Sequence, residues 1–373
     1  MRRALQLARR GQGHVEPNPM VGCLVVKRSR VVGEGYHRRY GGAHAEIEAL
    51  RRAGPGARDS TAYVTLEPCC HHGKTPPCAD ALVAAGLRRV VVAMRDPFPE
   101  VGGRGIRRLR RAGIRVDVGL LEAEARELNA PYLTLVTRKR PYCILKWAQS
   151  LDGKIATRTG DSRWISSPAS RRFVHRVRAR VDGILVGVQT VLADDPQLTA
   201  RSVPLRRTAT RIVLDSRLRI PVKAAVVTTA RDVPTLVLTT GDTLHRRTAK
   251  AGRLRRTGVE IVACKARDGH VDLRSGLGML GKRQFTNLLV EGGGRVLGAF
   301  LDMKLADTAM TFISPRFIGC DSAAGPYRGT GVARVADARL HRPVSIRRIG
   351  PDVLYHVRLG DAVPDGIALE NPP

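Results

Sequence analysis

Two short stretches carry the strongest fold signal in this chain: "HAE", His44 to Glu46, and "PCCHHGKTPPC", Pro68 to Cys78. A zinc ion takes four ligands, and a catalytic site keeps three from the protein and leaves one position for water. The second stretch offers three cysteines and two histidines, so a self-contained structural zinc site is one interpretation. The other uses His44, Cys69 and Cys78 as ligands and leaves the fourth position open.

The catalytic interpretation rests on the zinc-deaminase signature H-x-E…P-C-x-x-C, in which the glutamate is the general acid and base. His44-Ala45-Glu46 matches its first half, and Pro68-Cys69 begins its second. The next usable cysteine is Cys78, nine positions after Cys69 rather than three, because "CHHGKTPP" is inserted. Glu46 can lie beside the metal, take a proton from water and deliver it to a leaving amine. Three residues are then expected to surround the site rather than bind the metal: Cys70, His71 and His72.

Length and composition exclude several classes of protein. A chain of 373 residues predicts two domains. No run approaches 18 uncharged apolar residues, which argues against a membrane span. The basic start, residues 1–14, lacks the apolar core and cleavage site of a secretory signal, so we expect a first helix and a cytoplasmic protein. Seven cysteines, three of them clustered near histidines, favour a metal site over disulfides.

The net charge of +31 comes from 64 Lys and Arg against 33 Asp and Glu. Such a surface attracts phosphates and predicts weak, non-specific nucleic-acid binding. The arginines are spread over nearly every helical stretch, and aromatic residues total only 4%. A general surface bias is therefore favoured over a dedicated nucleic-acid face.

Alternating strand and helix patterns predict two α/β domains, residues 1–138 and 139–373, with the boundary in Val136–Tyr142. The predicted strands are Met20–Val26, Tyr63–Leu66, Arg89–Ala93 and Ile114–Val118, then Cys143–Lys146, Gly183–Gly187, Arg211–Asp215, Thr235–Thr239, Asn287–Val290 and Thr308–Ile313. The predicted helices are Ala43–Ala53, Ala79–Ala85, Gly103–Ala112, Leu120–Asn129, Pro168–Arg180 and Arg295–Leu301. The tail from about residue 360 has no periodicity and is predicted to be disordered.

At these residues the chain resembles a known family, the bifunctional deaminase–reductases of riboflavin biosynthesis. The matching stretches of the first domain are "PNPMVGCLVV", "GGAHAEIEAL", "TLEPCCHHGKTPPC" and "DPFPEVGGRGIRRLRRAGI". Those of the second are "KWAQSLDGKIAT", "GDSRWISSP", "TVLADDPQLTAR", "RIVLDS" and "LLVEGGGRVLGAFL". The long insertion between Cys69 and Cys78 is a trait of this family. The resemblance implies a cytidine-deaminase-like three-layer αβα domain followed by a dihydrofolate-reductase-like α/β domain.

The resemblance also implies the two reactions. The first domain would hydrolyse the 2-amino group of 2,5-diamino-6-(5-phosphoribosylamino)pyrimidin-4-one, using one Zn²⁺. The second would reduce the ribosyl chain of 5-amino-6-(5-phosphoribosylamino)uracil to ribityl, using NADPH. The partners expected are a small-molecule substrate and a second copy of the chain, in a homodimer or higher homo-oligomer, with neither a membrane nor a specific nucleic acid.

Functional positions carry over from the family residue by residue. His44, Cys69 and Cys78 would bind the metal, Glu46 would carry protons, and Asn18 would approach the pyrimidine. The implied cofactor positions are Ala148, Trp164, Thr190, Asp194, Ser216, Gly293, Gly294, Arg295, Val296, Leu297, Gly298 and Ala299. The implied substrate positions of the reductase are Ser162, Arg178, Leu198, Arg201 and Glu291.

Physical chemistry supports some of these positions and leaves alternatives for others. Arg178 and Arg201 suit a 5-phosphate, because a guanidinium pairs phosphate oxygens bidentately. "LLVEGGGRV" is a strand that runs into glycines and a helix, where backbone N–H groups can meet a phosphate, although it misses the G-x-G-x-x-G spacing. Ser216 could read the 2′-phosphate of NADPH or lie in a hairpin turn, Trp164 could be core packing, and Asn18 a turn residue.

Some residues depart from the family pattern, and two other functions stay open. Phe98 stands where the family commonly has Asn, Cys70 where it often has a small residue, and "SPRFIGCDSA" varies from a commoner "APKLLGG". The runner-up function is a nucleic-acid base deaminase with a basic second domain. A third is a structural-zinc binding module, for which Glu46 would be dispensable.

Overall fold

The computed structural model describes residues 1–70, 77–341 and 343–360 of the chain. The chain divides into two compact units. The first is Met1–Arg140 with Gln284–Thr286, and the second is Pro141–Arg283 with the residues from Asn287 onward.

The first unit is built from five strands and six helices among its described residues. In chain order they are α1 Arg2–Ala8, β1 Gly22–Lys27, β2 Arg30–Tyr36, α2 Ala45–Ala53, β3 Thr61–Val64, α3 Cys78–Ala84, β4 Arg89–Val92, α4 Arg104–Arg111, β5 Arg115–Val118, α5 Glu122–Leu128 and α6 Ala130–Arg138.

The sheet of the first unit has the strand order β2-β1-β3-β4-β5. The β1–β2 and β1–β3 pairs are antiparallel, and β3, β4 and β5 run parallel. Side chains alternate between the two faces of the sheet, as a strand requires. Val25 of β1 packs in the core shared with α2, α3 and α4, whereas its neighbour Leu24 packs against α1. Helices therefore cover both faces, and the predicted three-layer αβα arrangement is confirmed.

The second unit continues the alternation of strands and helices with a longer sheet. Its elements are β6 Tyr142–Ser150, α7 Pro168–Arg178, β7 Gly183–Gly187, α8 Val188–Asp194, β8 Thr210–Leu214, α9 Ala225–Thr228, β9 Thr235–Thr240, α10 Gly241–Arg246, α11 Thr248–Arg256, β10 Glu260–Cys264, β11 Ala266–Arg267, β12 His270–Val271, α12 Leu273–Lys282, β13 Asn287–Val290, α13 Gly294–Asp302, β14 Thr308–Ser314, β15 Pro343–Ile349 and β16 Asp352–Arg358.

Nine strands of the second unit form one sheet in the order β10-β9-β8-β7-β13-β6-β14-β16-β15. All neighbours from β10 to β14 are parallel, and only β16 and β15 are antiparallel to their neighbours. The carboxyl ends of β8, β7, β13 and β6 thus lie along one edge of the sheet. In open α/β sheets, that edge is where ligands bind.

The strands and helices predicted from periodicity are all present, with ends shifted by a few residues. Strand β2 was not predicted, because glycines interrupt "RVVGEGY". Those glycines are required: a Cβ at Gly33 would lie 2.2 Å from the Ala49 oxygen, and one at Gly35 would lie 2.4 Å from the Ala45 oxygen. Helix α2 therefore rests directly on the backbone of β2.

The linker Val136–Tyr142, predicted as a polar boundary, is partly helical, because α6 continues to Arg138. The predicted disordered tail, residues 361–373, lies outside the described residues. Within the described ranges, no helix combines the length and apolar character needed to cross a membrane.

Candidate active sites

Three elements of the first unit place the predicted metal ligands together. His44 is the N-cap of α2, Cys69 follows the end of β3, and Cys78 is the first residue of α3. The backbone N–H of Cys78 donates to Cys69 Sγ at 3.3 Å, and the N–H of Ala79 donates to the Cys69 carbonyl at 3.0 Å. The start of α3 thereby fixes Cys69 and supplies Cys78.

The spacing of these three side chains fits a zinc ion. Their ligand atoms all lie within 4.8 Å of one another. His44 Nδ1 is 3.2 Å from Cys78 Sγ and 3.6 Å from Cys69 Sγ. Tetrahedral zinc with ordinary Zn–N and Zn–S bonds places such atoms about 3.5 Å apart. One histidine and two cysteines leave one coordination position open, as a catalytic site requires.

The two cysteine thiols differ in their proton affinity. The hydrogen bond from Cys78 lowers the pKa of the Cys69 thiol to about 4. The same hydrogen bond, together with burial, raises the pKa of Cys78. A hydrogen bond with Cys69 also raises the pKa of His44, against the effect of burial. The lowered pKa favours the thiolate form of Cys69, which is the form that binds metals.

Glu46 lies in the first turn of α2, two residues after His44, and is only 3% exposed. Burial, followed by the charge of Cys69, raises the pKa of Glu46 to about 7, and His44 opposes this shift. A carboxyl group whose pKa is near neutral can both accept and release a proton at working pH.

Asn18 is brought beside the metal trio through a residue that the sequence did not single out. His37 contacts His44 edge-on, with ring centroids 5.3 Å apart. The His37 ring lies 3.1 Å from the Ala43 carbonyl through Nδ1 and 3.3 Å from Asn18 Nδ2 through Nε2. A carbonyl only accepts, so Nδ1 carries the proton and Nε2 accepts from the Asn18 amide. His37 thereby fixes which end of the Asn18 amide donates to it, and the amide oxygen is the end that can accept a hydrogen bond.

Glu67, directly before Pro68 and Cys69, joins two motifs that are distant in the sequence. Its carboxylate accepts hydrogen bonds from the backbone N–H groups of Asp96, Gly103 and Ile106, at 3.3, 3.0 and 3.1 Å. It thus ties "TLEPCC" to the loop and helix of "DPFPEVGGRGI". Cys70 faces that loop, with its thiol 3.7 Å from the Glu100 carbonyl, and is not part of the metal trio. His71 and His72 lie outside the described residues.

In the second unit, the predicted reductase positions gather at the carboxyl edge of the parallel strands. The positions on or directly after the strands are Ala148 on β6, Ser216 after β8, and Glu291 and Gly293 after β13. Thr190 and Asp194 belong to α8, which follows β7 directly. Because β8, β7, β13 and β6 are parallel neighbours, these residues lie along the same edge of the sheet, at the carboxyl ends of the strands.

A buried ion pair lies at the centre of this edge. Arg178 donates to both carboxylate oxygens of Glu291, at 2.6 and 2.8 Å. Lys146 Nζ is 4.0 Å from the same carboxylate, and only 17% of its side chain is exposed. Although burial disfavours the charge, the attraction of Arg178 and then of Lys146 lowers the pKa of Glu291 to about 2. Burial lowers the pKa of Lys146, with Glu291 opposing this shift.

Lys146 was not selected from the sequence, although a lysine inside the apolar run "CILK" was a usable signal. Asp152 lies in the turn that follows β6, and its carboxylate accepts hydrogen bonds from the backbone N–H groups of Ile318 and Gly319, at 3.1 and 2.7 Å. Asp152 thereby anchors the "SPRFIGCDSA" segment that departs from the family pattern.

The loop 195–201 carries the predicted positions Leu198 and Arg201. Leu198 is 2% exposed and has a positive φ of 52°. The Thr199 carbonyl accepts from Arg178 at 3.2 Å, so the loop touches the buried ion pair. The Arg201 guanidinium folds back onto Gln197 Oε1 and Thr199 Oγ1, at 3.0 and 2.9 Å. Burial and the nearby Arg178 lower the pKa of Arg201.

The glycine run after β13 has two separate roles. Gly293 is the exposed N-cap of α13, and a Cβ there would meet nothing within 4 Å, which leaves room for a ligand. A Cβ at Gly294 would lie 2.7 Å from the Gly325 oxygen, and one at Gly298 would lie 2.7 Å from the Gly329 nitrogen. These two glycines therefore accommodate the 325–329 segment. The remaining predicted positions of this run lie on the same helix: Arg295, Val296, Leu297 and Ala299.

Trp164 is not a core residue. It is 59% exposed, and the Arg171 guanidinium stacks on its ring at 4.6 Å. Its neighbour Arg163 donates to the Asp194 carbonyl and lies 3.9 Å from the Asp194 carboxylate. The loop that carries Ser162 and Trp164 is thus joined to α8.

Ser216 does not lie in a hairpin, because β8 and β9 are parallel. Its hydroxyl accepts from the backbone N–H of Val271 at 2.9 Å. The preceding residue, Asp215, is fully buried, and its Oδ1 has no hydrogen-bond partner among the described residues.

Two family models match the chain. Residues 1–94 match the cytidine and deoxycytidylate deaminase zinc-binding region, and residues 141–355 match the RibD C-terminal domain. The chain is 43% identical over 354 residues to the riboflavin biosynthesis protein RibD of Aquifex aeolicus, covering 95% of this chain and 96% of that protein. It is 44% identical over 359 residues to RibD of Escherichia coli, covering 96% and 98%.

Solved structures show the same relationship. An Acinetobacter baumannii RibD structure matches with a TM-score of 0.84 at 35% identity, covering 96% of this chain and 97% of that one. The Thermotoga maritima diaminohydroxyphosphoribosylaminopyrimidine deaminase/5-amino-6-(5-phosphoribosylamino)uracil reductase matches with a TM-score of 0.82 at 36% identity, with the same coverage. The chain belongs to the RibD family and is a bifunctional deaminase and reductase of riboflavin biosynthesis.

Proposed function

We propose that residues 1–138 hydrolyse the 2-amino group of 2,5-diamino-6-(5-phosphoribosylamino)pyrimidin-4-one, with His44, Cys69 and Cys78 as metal ligands. The observation that carries this assignment is the trio within 4.8 Å of one another, beside a glutamate that is 3% exposed. Zinc, when bound there, supplies Lewis-acid activation of a water molecule. The ring amino group is replaced by oxygen, and ammonia leaves.

Glu46 moves the protons of this reaction. Its carboxylate accepts a proton from the attacking water and then delivers it to the leaving amine nitrogen. A pKa of about 7 lets one group do both. Asn18, oriented by His37, presents its amide oxygen as an acceptor for the pyrimidine. The match of residues 1–94 to the cytidine and deoxycytidylate deaminase zinc-binding region supports the proposal of a zinc site in this domain.

We further propose that residues 139–373 reduce the ribosyl chain of the deaminated product with NADPH, which supplies a hydride when bound. C1′ would receive that hydride as the C1′–O4′ bond breaks, and O4′ would then need a proton from the protein. Lys146 is the proton source that we assign, because its ammonium group is buried beside Glu291 at the ligand-binding edge. The cofactor positions are those along that edge, with Gly293 open at the start of α13.

The substrate 5-phosphate is assigned to Arg201 and Arg178. Within the described residues, the carboxylate of Glu291 balances the charge of Arg178, whereas the Arg201 guanidinium donates to a neutral amide and a hydroxyl. The cluster of Arg178, Arg201 and Lys146 therefore has excess positive charge. A phosphate dianion satisfies that excess and pairs well with guanidinium groups. Ser162, Leu198 and Glu291 complete the proposed substrate site.

The cellular and oligomeric context is also part of the proposal. We place the enzyme in the cytoplasm and expect a homodimer. Light scattering on the purified protein tests the second point, since a single species of 40.6 kDa contradicts it.

One assay with two readouts tests both reactions. The phosphoribosylated diaminopyrimidine is supplied with and without NADPH, and ammonia release and NADPH oxidation are followed together. We expect ammonia in both cases and NADPH oxidation only after deamination. Ammonia without NADPH oxidation removes the reductase assignment. Deamination of an RNA substrate, with neither signal from the pyrimidine, favours the nucleic-acid deaminase instead.

A further inference from the structure

His175 contacts the backbone of the proposed phosphate-binding arginine. It lies on α7, one helical turn before Arg178, and is half-buried. The backbone N–H of Arg201 donates to His175 Nδ1 at 3.2 Å. A backbone N–H can only donate, so Nδ1 carries no proton, and the neutral ring carries its proton on Nε2.

The charges around His175 keep it in this acceptor form. Burial, followed by the positive charges of Arg178 and Arg201, lowers the pKa of His175, and the Thr199 carbonyl and Glu291 act in the opposite direction. These groups lie on α7, in the loop 195–201 and at Glu291, directly after β13. The lowered pKa favours the neutral imidazole, which is the form that accepts the hydrogen bond from Arg201.

Side chains of β8 and α7 hold the part of this loop from Gln197 to Arg201. Arg211, buried in β8, donates to the Gln197 carbonyl at 3.4 Å, and Arg178 donates to the Thr199 carbonyl at 3.2 Å. The His175 contact is the one made to the backbone of Arg201 itself. The guanidinium then folds back on the loop, so its position depends on where that backbone lies.

We propose that His175 is a positioning residue of the reductase, which holds the backbone of Arg201 so that its guanidinium receives the substrate 5-phosphate. This inference rests on the proposed reductase function. It assigns to His175 an effect on substrate binding rather than on hydride transfer. It also requires an acceptor atom at the place of Nδ1, not an imidazole as such.

The test compares His175→Leu with His175→Asn in the full chain. Asparagine keeps an acceptor oxygen near the position of Nδ1, whereas leucine keeps bulk without an acceptor. The deaminated substrate and its form without the 5-phosphate are each titrated, and NADPH oxidation gives kcat and KM. Arg176→Ala, on the exposed neighbouring position of α7, is the matched control. Thermal unfolding verifies that each variant is folded.

We expect His175→Leu to raise KM for the phosphorylated substrate by about 3- to 10-fold, the effect of one neutral hydrogen bond. The kcat of His175→Leu and its KM for NADPH should stay within about twofold of wild type. In His175→Asn, the KM for the phosphorylated substrate should also stay within about twofold of wild type. On the substrate without phosphate, His175→Leu should behave like wild type.

Two results overturn the inference while the proposed function stands. In one, asparagine impairs binding as much as leucine does. In the other, leucine raises KM equally for both substrates, which points to a general packing effect. A wild-type enzyme that does not reduce the phosphorylated substrate at all fails at the earlier step and removes the proposed function itself.

Discussion

At the scale of single residues, the proposed deaminase mechanism depends on one carboxyl group, that of Glu46, whose position is set by the start of α2. Glu46→Gln keeps the shape of the side chain and removes its ability to carry a proton. We expect ammonia release to fall by about 100- to 10,000-fold, as for loss of a general acid–base group, while zinc stays bound. Metal analysis and the ammonia assay measure the two quantities on one preparation.

Glu48→Gln is the matched control for this change. Glu48 lies on the same helix, but its carboxylate pairs with Arg51 at 3.3 Å on the surface side. Its variant should deaminate at close to the wild-type rate. Reduction of the deaminated substrate should be unaffected in both variants. A Glu46→Gln protein that keeps zinc and deaminates at the wild-type rate would show that Glu46 is not the proton carrier.

The buried ion pair predicts a pH dependence of stability. The pKa of Glu291 is lowered to about 2 in the folded chain, so its contribution to stability is present above about pH 4.5 and is lost as pH falls towards 2. The shift corresponds to a contribution on the order of 3 kcal/mol at neutral pH. Glu291→Gln should therefore lower the free energy of unfolding at pH 7, and the difference from wild type should shrink below pH 4.5.

Tryptophan fluorescence can follow this unfolding, because Trp147 and Trp164 are the two tryptophans and both lie in the second unit. Urea titrations at pH 7 and at low pH supply the comparison. A difference between wild type and Glu291→Gln that stays constant with pH would show that Glu291 does not titrate as described.

Some of the proposed site residues could be predicted from the sequence and others could not. The difference depends on how far along the chain their partners lie. His44 and Glu46 are two positions apart on one helix start, so a short motif displays them. His37 matters through Asn18, 19 positions earlier, and Lys146 through Glu291, far along the chain. Nothing local marks such a residue, because only the sheet topology brings the partner to it.

At the scale of elements, glycine is required where a helix packs directly against the backbone of a neighbouring segment. A Cβ at Gly105 would lie 2.0 Å from the Pro68 carbonyl oxygen, so α4 can approach the metal-binding segment only without a side chain there. Gly105→Ala should displace α4 from Pro68 and Cys69. We expect weaker zinc binding and a lower temperature of unfolding, measured by metal titration and calorimetry.

Gly278→Ala is the contrasting change. Gly278 lies inside α12, and a Cβ there would meet nothing within 4 Å. Alanine in an unobstructed helix interior should stabilise the protein by about 0.5–1 kcal/mol, because glycine costs more backbone entropy. If Gly105→Ala and Gly278→Ala have the same effect, the contact with Pro68 does not control the metal site.

Element prediction failed where packing overrides local preference. Strand β2 contains two glycines, which disfavour a strand by themselves, and yet α2 requires both. Strands β15 and β16 have mixed polarity, which gives no clear strand pattern. Much of β15 is exposed, because it lies at the edge of the sheet. The buried parallel strand β7 is continuously apolar, and β13 is apolar after Asn287, so the ends of both were predicted correctly.

At the scale of the whole molecule, the two activities belong to separately packed units. The metal trio lies in the first, and the proposed NADPH edge in the second. The sequence predicted this division from the restart of strand–helix alternation. It could not distinguish a zinc ion that serves catalysis from one that holds the fold together, because the same ligands serve both purposes.

Removal of the metal separates these two roles. A chelator should abolish ammonia release from the diaminopyrimidine and leave NADPH oxidation on the deaminated substrate within about twofold of its starting rate, because no metal ligand is proposed in the second unit. Added zinc should restore ammonia release. The apolar core shared by β1, α2, α3 and α4 includes none of the three proposed metal ligands, so we expect the protein to stay folded after chelation. Loss of both activities together, with a cooperative loss of helical circular dichroism, would instead mean that the zinc holds the whole chain in its fold.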